Sequence, residues 1–252
     1  MEITGKKAIV TGGASGMARA TVERLHERGA EVAILDLPSS AGAEVAAAVN
    51  GSFHPVDVTD ADGVERAVDD AVDALGGLHF GINTAGGGIA KRTLTKEGPH
   101  PLEDFRKVVD LNLIATFNLN RMQAWHMSRN EPEDDERGVI INTASIAAFE
   151  GQIGQVAYAA AKAGIVGMAL TMARDLGSLG IRVNAVAPSL FSTGITEGIP
   201  DEFAAALTKD AAFPKRMGRP EEYAKLAIAI IENPMLNGGC IRLDGGQRFA
   251  PK

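Results

Sequence analysis

Cysteine is almost missing from this chain: Cys240 stands alone, so no disulfide can form within it, as suits a reducing compartment. Cys240 also lies in an apolar run, which reads as a small buried hydrophobe rather than a nucleophile. Basic residues are in deficit, 25 Lys and Arg against 32 Asp and Glu, for a net charge of −7. Phosphate-backbone binding needs a basic face, so nucleic acid is excluded as the main partner. No apolar span of membrane length is legible, and the chain enters a strand pattern within its first few residues. No membrane helix, membrane partner or signal peptide is therefore expected. The five histidines are scattered without ligand spacing, so no metal site is expected. No linker composition or repeat divides the sequence, which reads as one domain, 1–252.

What is present is a regular alternation. Short β-rich runs at 6–12, 31–37, 51–58, 78–86, 137–145, 181–188 and 240–246 are separated by Ala-rich helical windows such as 18–29 and 63–77. The first, second, fourth and fifth runs are nearly continuously apolar, as strands covered on both faces must be. The expected fold is α/β: a single-domain, Rossmann-like, doubly wound parallel sheet of about seven strands with helices on both faces. Two segments break the rhythm. Residues 86–105 form a long loop leaving the carboxyl end of the fourth strand, where ligands bind in such sheets. Residues 130–138 are acidic and read as a solvated surface loop.

The stretch TGGASGMA, 11–18, follows the first strand and opens the first helical window. Gly12 and Gly16 let the backbone approach a pyrophosphate lying at a helix N-terminus; Ser15 adds a hydroxyl and Met17 a backbone N–H. Ala18 stands where a third glycine is common, and alanine is accepted there because that position serves helix–strand packing. Asp36 ends the second strand about twenty residues beyond Gly16, placed to accept from ribose hydroxyls, and Leu37 supplies no cation for an extra phosphate. The cofactor expected is NAD rather than NADP. Asp57 and Val58, at the end of the third strand, are expected at the adenine rim. Asn83, Thr84, Ala85 and Gly86 put small residues where a cofactor would cross the sheet.

Only two tyrosines occur, and Tyr158 has Lys162 four residues on, sharing one helix face, while Tyr223 has Ala227. A phenol near pKa 10 is a poor acid or base at neutral pH unless a cation stabilises its phenolate. Lys162 is therefore expected to lower the pKa of Tyr158 and also to hold the nicotinamide ribose. Ser145, at the end of the fifth strand, can hydrogen-bond the reacting oxygen. Gln152 and Gln155 lie toward the expected substrate side, so Ser145, Gln155 and Tyr158 are the candidate substrate contacts. Met122, Met127, Met168 and Met172 fall at helical spacings and read as core.

In order along residues 3–246, TGGASGMA, NTAG, Asn112 in VVDLNLIATFN, Ser145 in INTAS, YAAAK and VNAVAPSLFST resemble the short-chain dehydrogenase/reductase family. The resemblance implies a seven-stranded parallel sheet and a catalytic tetrad of Asn112, Ser145, Tyr158 and Lys162. In that scheme Asn112 holds, through a helix kink, a water that links Lys162 to solvent. It also implies that Pro188, Phe191 and Thr193 close over the nicotinamide. LDLPSSAG, HPLEDFRKVVDLNL and AIIENPMLNGGCIRLDGG are similar to the subgroup of short-chain 3-hydroxyacyl-CoA dehydrogenases, also called type 10 17β-hydroxysteroid dehydrogenases. That subgroup implies NAD-dependent oxidation of (S)-3-hydroxyacyl-CoA, a homotetramer and, with no presequence visible, a cytoplasmic place in fatty acid metabolism. Lys91, Arg92 and Lys96 could meet CoA phosphates. The alternatives are another secondary alcohol such as a hydroxysteroid, a 3-oxoacyl-carrier-protein reductase, which Asp36 disfavours, and an idle NAD-binding scaffold, which the intact tetrad disfavours.

Overall fold

Seven parallel strands carry the fold in the computed structural model, which describes residues 1–193, 205 and 207–250. They are β1 (Lys7–Thr11), β2 (Glu31–Asp36), β3 (Ser52–Pro55), β4 (Phe80–Asn83), β7 (Gly138–Thr143), β8 (Ile181–Pro188) and β9 (Cys240–Leu243). Their order is β3-β2-β1-β4-β7-β8-β9, so the winding reverses between β1 and β4. At that reversal the connections leave in opposite directions and a crevice opens at the carboxyl ends of the strands. One face of the sheet is covered by α1 (Gly16–Glu27), α2 (Gly42–Ala48) and α7 (Pro220–Glu232), which share a core with Val10, Ile34, Ile82 and Ile141. The other is covered by α3 (Ala61–Leu75), α5 (Ala115–Met127) and α6 (Val156–Leu176) against Ile9, Leu35, Ile140 and Val183. Every residue of β4, β7 and β8 is buried, which is why β4 and β7 read as nearly continuous apolar runs, while β8 buries Arg182 and Asn184 as well.

The strand centres match the expectation, and the ends differ for local reasons. β3 is an edge strand, so the N–H that Pro55 lacks faces away from β2; the Val56 N–H still bonds the Asp36 carbonyl at 2.8 Å, and Asp57 and Val58 lie in the turn beyond it. Segment 86–105 is not one loop. It holds a two-stranded hairpin, β5 (Leu94–Thr95) and β6 (Gly98–Pro99), and the start of α4 (Leu102–Val109).

The acidic segment is only partly a solvated loop. Asp134 and Asp135 take left-handed φ of 49° and 65°, closing a tight turn between Glu133 and Glu136. Glu136 then turns inward and pairs with the buried Arg182 at 2.5 Å. α6 also corrects an expectation: Val156–Leu179 is long and apolar enough to cross a membrane, with a mean hydropathy of 1.5. Its inner face, with Ala161, Ile165 and Ala169, packs on the sheet, while Val156 and Leu170 are exposed.

Candidate active site

A cleft of about 1400 Å³ runs along the carboxyl edge of the sheet, from Asp36 and Asp57 at one end to Ser145, Tyr158 and Lys162 at the other. Its floor begins at the β1–α1 turn. Gly12 and Gly16 adopt φ of 79° and 53°, conformations that a side chain would strain. A Cβ on Gly12 would stand 2.8 Å from Thr84 Oγ1, and one on Gly16 would stand 3.0 Å from Thr193 Cγ2. Ser15 occupies the N-cap of α1 without spending its hydroxyl on a cap, and no acidic residue opposes the dipole in the first turn. That is the electrostatics of an anion cradle, and Ala18, 2% exposed, lines its inner wall and packs into the core.

Asp36 accepts backbone N–H bonds from Ala14 at 2.9 Å on one oxygen and from Leu37 at 2.7 Å on the other. A carboxylate has about four lone-pair sites, so two remain for a pair of hydroxyls. Leu37, Asp57, Val58 and Thr59 line the rest of this end and bring no cation. Thr84, Ala85 and Gly86 line the crossing, as do Met17, Pro188, Phe191 and Thr193. The residues thus fit a nicotinamide dinucleotide with free ribose hydroxyls.

One expected cofactor contact stands elsewhere. Asn83 does not line the cleft. It is buried, donating to Asn120, Gln123 and Asn142 side chains at 2.9–3.0 Å and accepting from Gln123 at 2.9 Å. Neighbours on a strand face opposite sides, so Asn83 points into the α5 layer. Asn112 is fully buried and braces the cleft from behind. It lies in a π-turn, Asp110–Ile114, the kink the family resemblance implies. Its amide donates to the carbonyls of Gly87 at 2.7 Å and Val108 at 2.8 Å, and its oxygen accepts the Gly87 N–H at 3.2 Å. Close packing explains the glycines: a Cβ on Gly86 would lie 2.6 Å from Asn112 Oδ1 and 3.2 Å from Lys162 Nζ.

Ser145 N-caps a short 3-10 turn and accepts the Ala147 N–H at 3.1 Å, leaving its hydroxyl proton to donate. Tyr158 and Lys162 project from α6, with Lys162 Nζ 5.6 Å from the Tyr158 ring centroid. Nζ donates to the Thr143 carbonyl at 2.8 Å. Burial lowers the Lys162 pKa to about 8. The Tyr158 pKa is raised, by burial first, with the hydrogen bond from Ser145 working against it. This reverses the expected sign: desolvation outweighs the Ser145 hydrogen bond, while the Lys162 ammonium is directed at the Thr143 carbonyl. Gln155 lines the cleft near Tyr158, its side chain accepting the Gln152 N–H at 3.0 Å. Lys91 is engaged by Asp104 at 2.9 Å, and neither Met127 nor Met172 reaches the cleft.

Sequence reasoning missed Gly87, Gly88 and Thr143. The glycine run 86–88 was a visible signal: a Cβ on Gly88 would meet the Tyr158 ring at 3.2 Å. Thr143 acts through its carbonyl, which no residue pattern announces.

A family model described as "Enoyl-(Acyl carrier protein) reductase" matches residues 12–248. The 3-hydroxyacyl-CoA dehydrogenase type-2 of Drosophila melanogaster is 49% identical over 249 residues, covering 97% of this chain and 98% of that protein. The protein of the same name from Homo sapiens is 48% identical over 254 residues, covering 99% and 97%. The crystal structure of 3-hydroxyacyl-CoA dehydrogenase type-2 from Mycobacterium avium superposes with a TM-score of 0.94 at 44% identity, covering 98% of each chain. With a glycine cradle, a carboxylate at the end of β2 and a serine–tyrosine–lysine set on a seven-stranded parallel sheet, the chain belongs to the short-chain dehydrogenase/reductase family of oxidoreductases.

Proposed function

We propose that the chain oxidises the secondary hydroxyl of an (S)-3-hydroxyacyl-CoA to the 3-oxo compound with NAD. The observation that carries this reading is one cleft joining Asp36, beside which Leu37, Asp57, Val58 and Thr59 bring no cation among the described residues, to Ser145, Tyr158 and Lys162. Full-length relatives near 48% identity that are named 3-hydroxyacyl-CoA dehydrogenase type-2 support the substrate class.

Gly12, Ser15, Gly16 and Met17 hold the dinucleotide phosphates, Asp36 its adenosine ribose, and Lys162 and Thr193 its nicotinamide end. When bound, NAD supplies the hydride acceptor. Ser145 donates to the substrate oxygen and fixes its carbon toward the cleft floor. Tyr158 takes the hydroxyl proton as its phenolate, after its own proton has passed to solvent, a base contribution worth about 10²–10⁴-fold. Because burial holds Tyr158 as a phenol, its phenolate needs support when it forms. The Lys162 ammonium, charged below about pH 8, stands within reach to give it. Asn112 keeps Gly86–Gly88 pressed against both side chains.

The exposed Ile114, Phe117, Trp125 and Leu170 on α5, its preceding turn and α6 support burial against copies of the same chain in a homotetramer, which sedimentation equilibrium tests. The test of function is the initial rate of NAD reduction with an (S)-3-hydroxyacyl-CoA series beside hydroxysteroids, repeated with NADP. A preference below about tenfold for acyl-CoA overturns the substrate, and one below about tenfold for NAD overturns the cofactor.

A further inference from the structure

Lys162 is held from a direction the reaction scheme does not use. Its Nζ bonds the carbonyl of Thr143, the last residue of β7. The β4 ladder ends one residue earlier, at the Asn83–Asn142 pair, which leaves this carbonyl for an ammonium. Side chains alternate along β7. Asn142 faces the amides of the α5 layer, so Thr143 faces the opposite layer, toward α7. There Thr143 Oγ1 lies 2.7 Å from the phenolic oxygen of Tyr223, and both groups are buried.

Tyr223 is fully buried in a layer otherwise filled by apolar side chains, among them Leu25, Ile34, Phe80 and Ile141. A phenylalanine would occupy the same volume without a polar atom to bury, so the hydroxyl is retained against its desolvation cost. Burial pushes its pKa up to about 12, which keeps it a hydrogen-bond donor throughout the working range. The helix turn that carries it is itself pinned. Pro220 opens α7, and the Glu222 carboxylate accepts from the Arg219 N–H at 2.7 Å and from Arg216 at 2.7 and 2.9 Å. Thr143 is therefore gripped from both layers, by Tyr223 through its side chain and by Lys162 through its carbonyl.

We propose that Tyr223 is a positioning residue for Lys162: its hydroxyl fixes Thr143, and the Thr143 carbonyl fixes the ammonium beside Tyr158. The role of Lys162 in the reaction rests on the function proposed above; the structural coupling does not.

Tyr223→Phe tests it with two readouts. The first is the titration of the Lys162 ammonium by NMR of lysine-labelled protein, its signal assigned by its loss in Lys162→Met. The second is steady-state turnover from pH 6 to 10. With the carbonyl loosened, the charged amine loses part of its acceptor, so its midpoint falls by about half a pH unit and kcat drops about three- to tenfold with KM within about twofold. Adding Thr143→Val to Tyr223→Phe removes the orphaned hydroxyl, so thermal stability recovers while the midpoint stays displaced. If the midpoint and kcat are unmoved in Tyr223→Phe while the melting temperature falls, Tyr223 is a packing residue and the proposal is overturned. The same holds if both return to wild-type values together with stability in the double variant. The titration needs no substrate, so failure of the dehydrogenase reading would leave this test standing.

Discussion

Replacing Lys162 by methionine should make the protein more stable at neutral pH while abolishing its chemistry. The ammonium is buried, and its pKa falls from 10.5 to about 8, with desolvation as the cause. At about 1.4 kcal/mol per pH unit, holding that charge inside the fold costs about 3 kcal/mol at pH 7. Methionine keeps the length and apolar body of the lysine stem but leaves the Thr143 carbonyl without its 2.8 Å donor, a loss of about 1 kcal/mol. The net gain at pH 7 is therefore about 2 kcal/mol.

Its pH dependence follows from the direction of the shift. Below pH 8 the lysine is protonated in both folded and unfolded chains, so the penalty is fully present. Between about 8 and 10.5 the unfolded chain binds the proton and the folded one does not, and the wild type gains stability as pH rises. Urea unfolding at pH 7, 8, 9 and 10, at one protein concentration, should show the variant's advantage shrinking to nothing or reversing by about pH 10. A Lys162→Met protein less stable than wild type at pH 7, or an advantage that stays flat with pH, refutes the reasoning.

Tyr158→Phe should lower turnover by about 10²–10⁴-fold while NADH binding, followed by fluorescence, stays within about threefold. Asp36→Ala should cost about ten- to a hundredfold in kcat/KM with NAD and much less with NADP, because it removes a charged acceptor for ribose hydroxyls and a repulsive charge together. Gly86→Ala should impair turnover and lower the melting temperature, since its Cβ would lie 2.6 Å from Asn112 Oδ1 and 3.2 Å from Lys162 Nζ. Ala18→Gly should destabilise by about 0.5–1 kcal/mol with NAD affinity within about threefold, because the buried Ala18 methyl packs in the helix–sheet core.

Much of the fold was legible because the parallel sheet is buried on both faces. Ile9, Val10, Ile34, Leu35, Ile140 and Ile141 had to be apolar regardless of which side they faced. Strand ends are decided by other things. A turn closed by the Asp60 N–H on the Asp57 carbonyl takes the chain away after β3, and the Asn83–Asn142 pair is where β4 and β7 part. The membrane-length hydropathy of Val156–Leu179 is masked in the sequence by Lys162 and Arg174, while alanine, valine, isoleucine, methionine and leucine carry the average.

In the site, what could be read was what side chains announce. The glycine cradle, Asp36 and the Ser145, Tyr158 and Lys162 set meet in one cleft. Asn83 was misplaced because NTAG reads as one unit, whereas a strand turns each residue away from the next. The sign of the Tyr158 shift was misjudged because spacing places Lys162 beside the ring but says nothing of solvent. Only the folded sheet shows that both groups are desolvated and that the ammonium is committed to a backbone oxygen. An ammonium so held stands ready for the phenolate without drawing the proton off beforehand. Tyr158 can then be an acid at rest and a base only when substrate is in place.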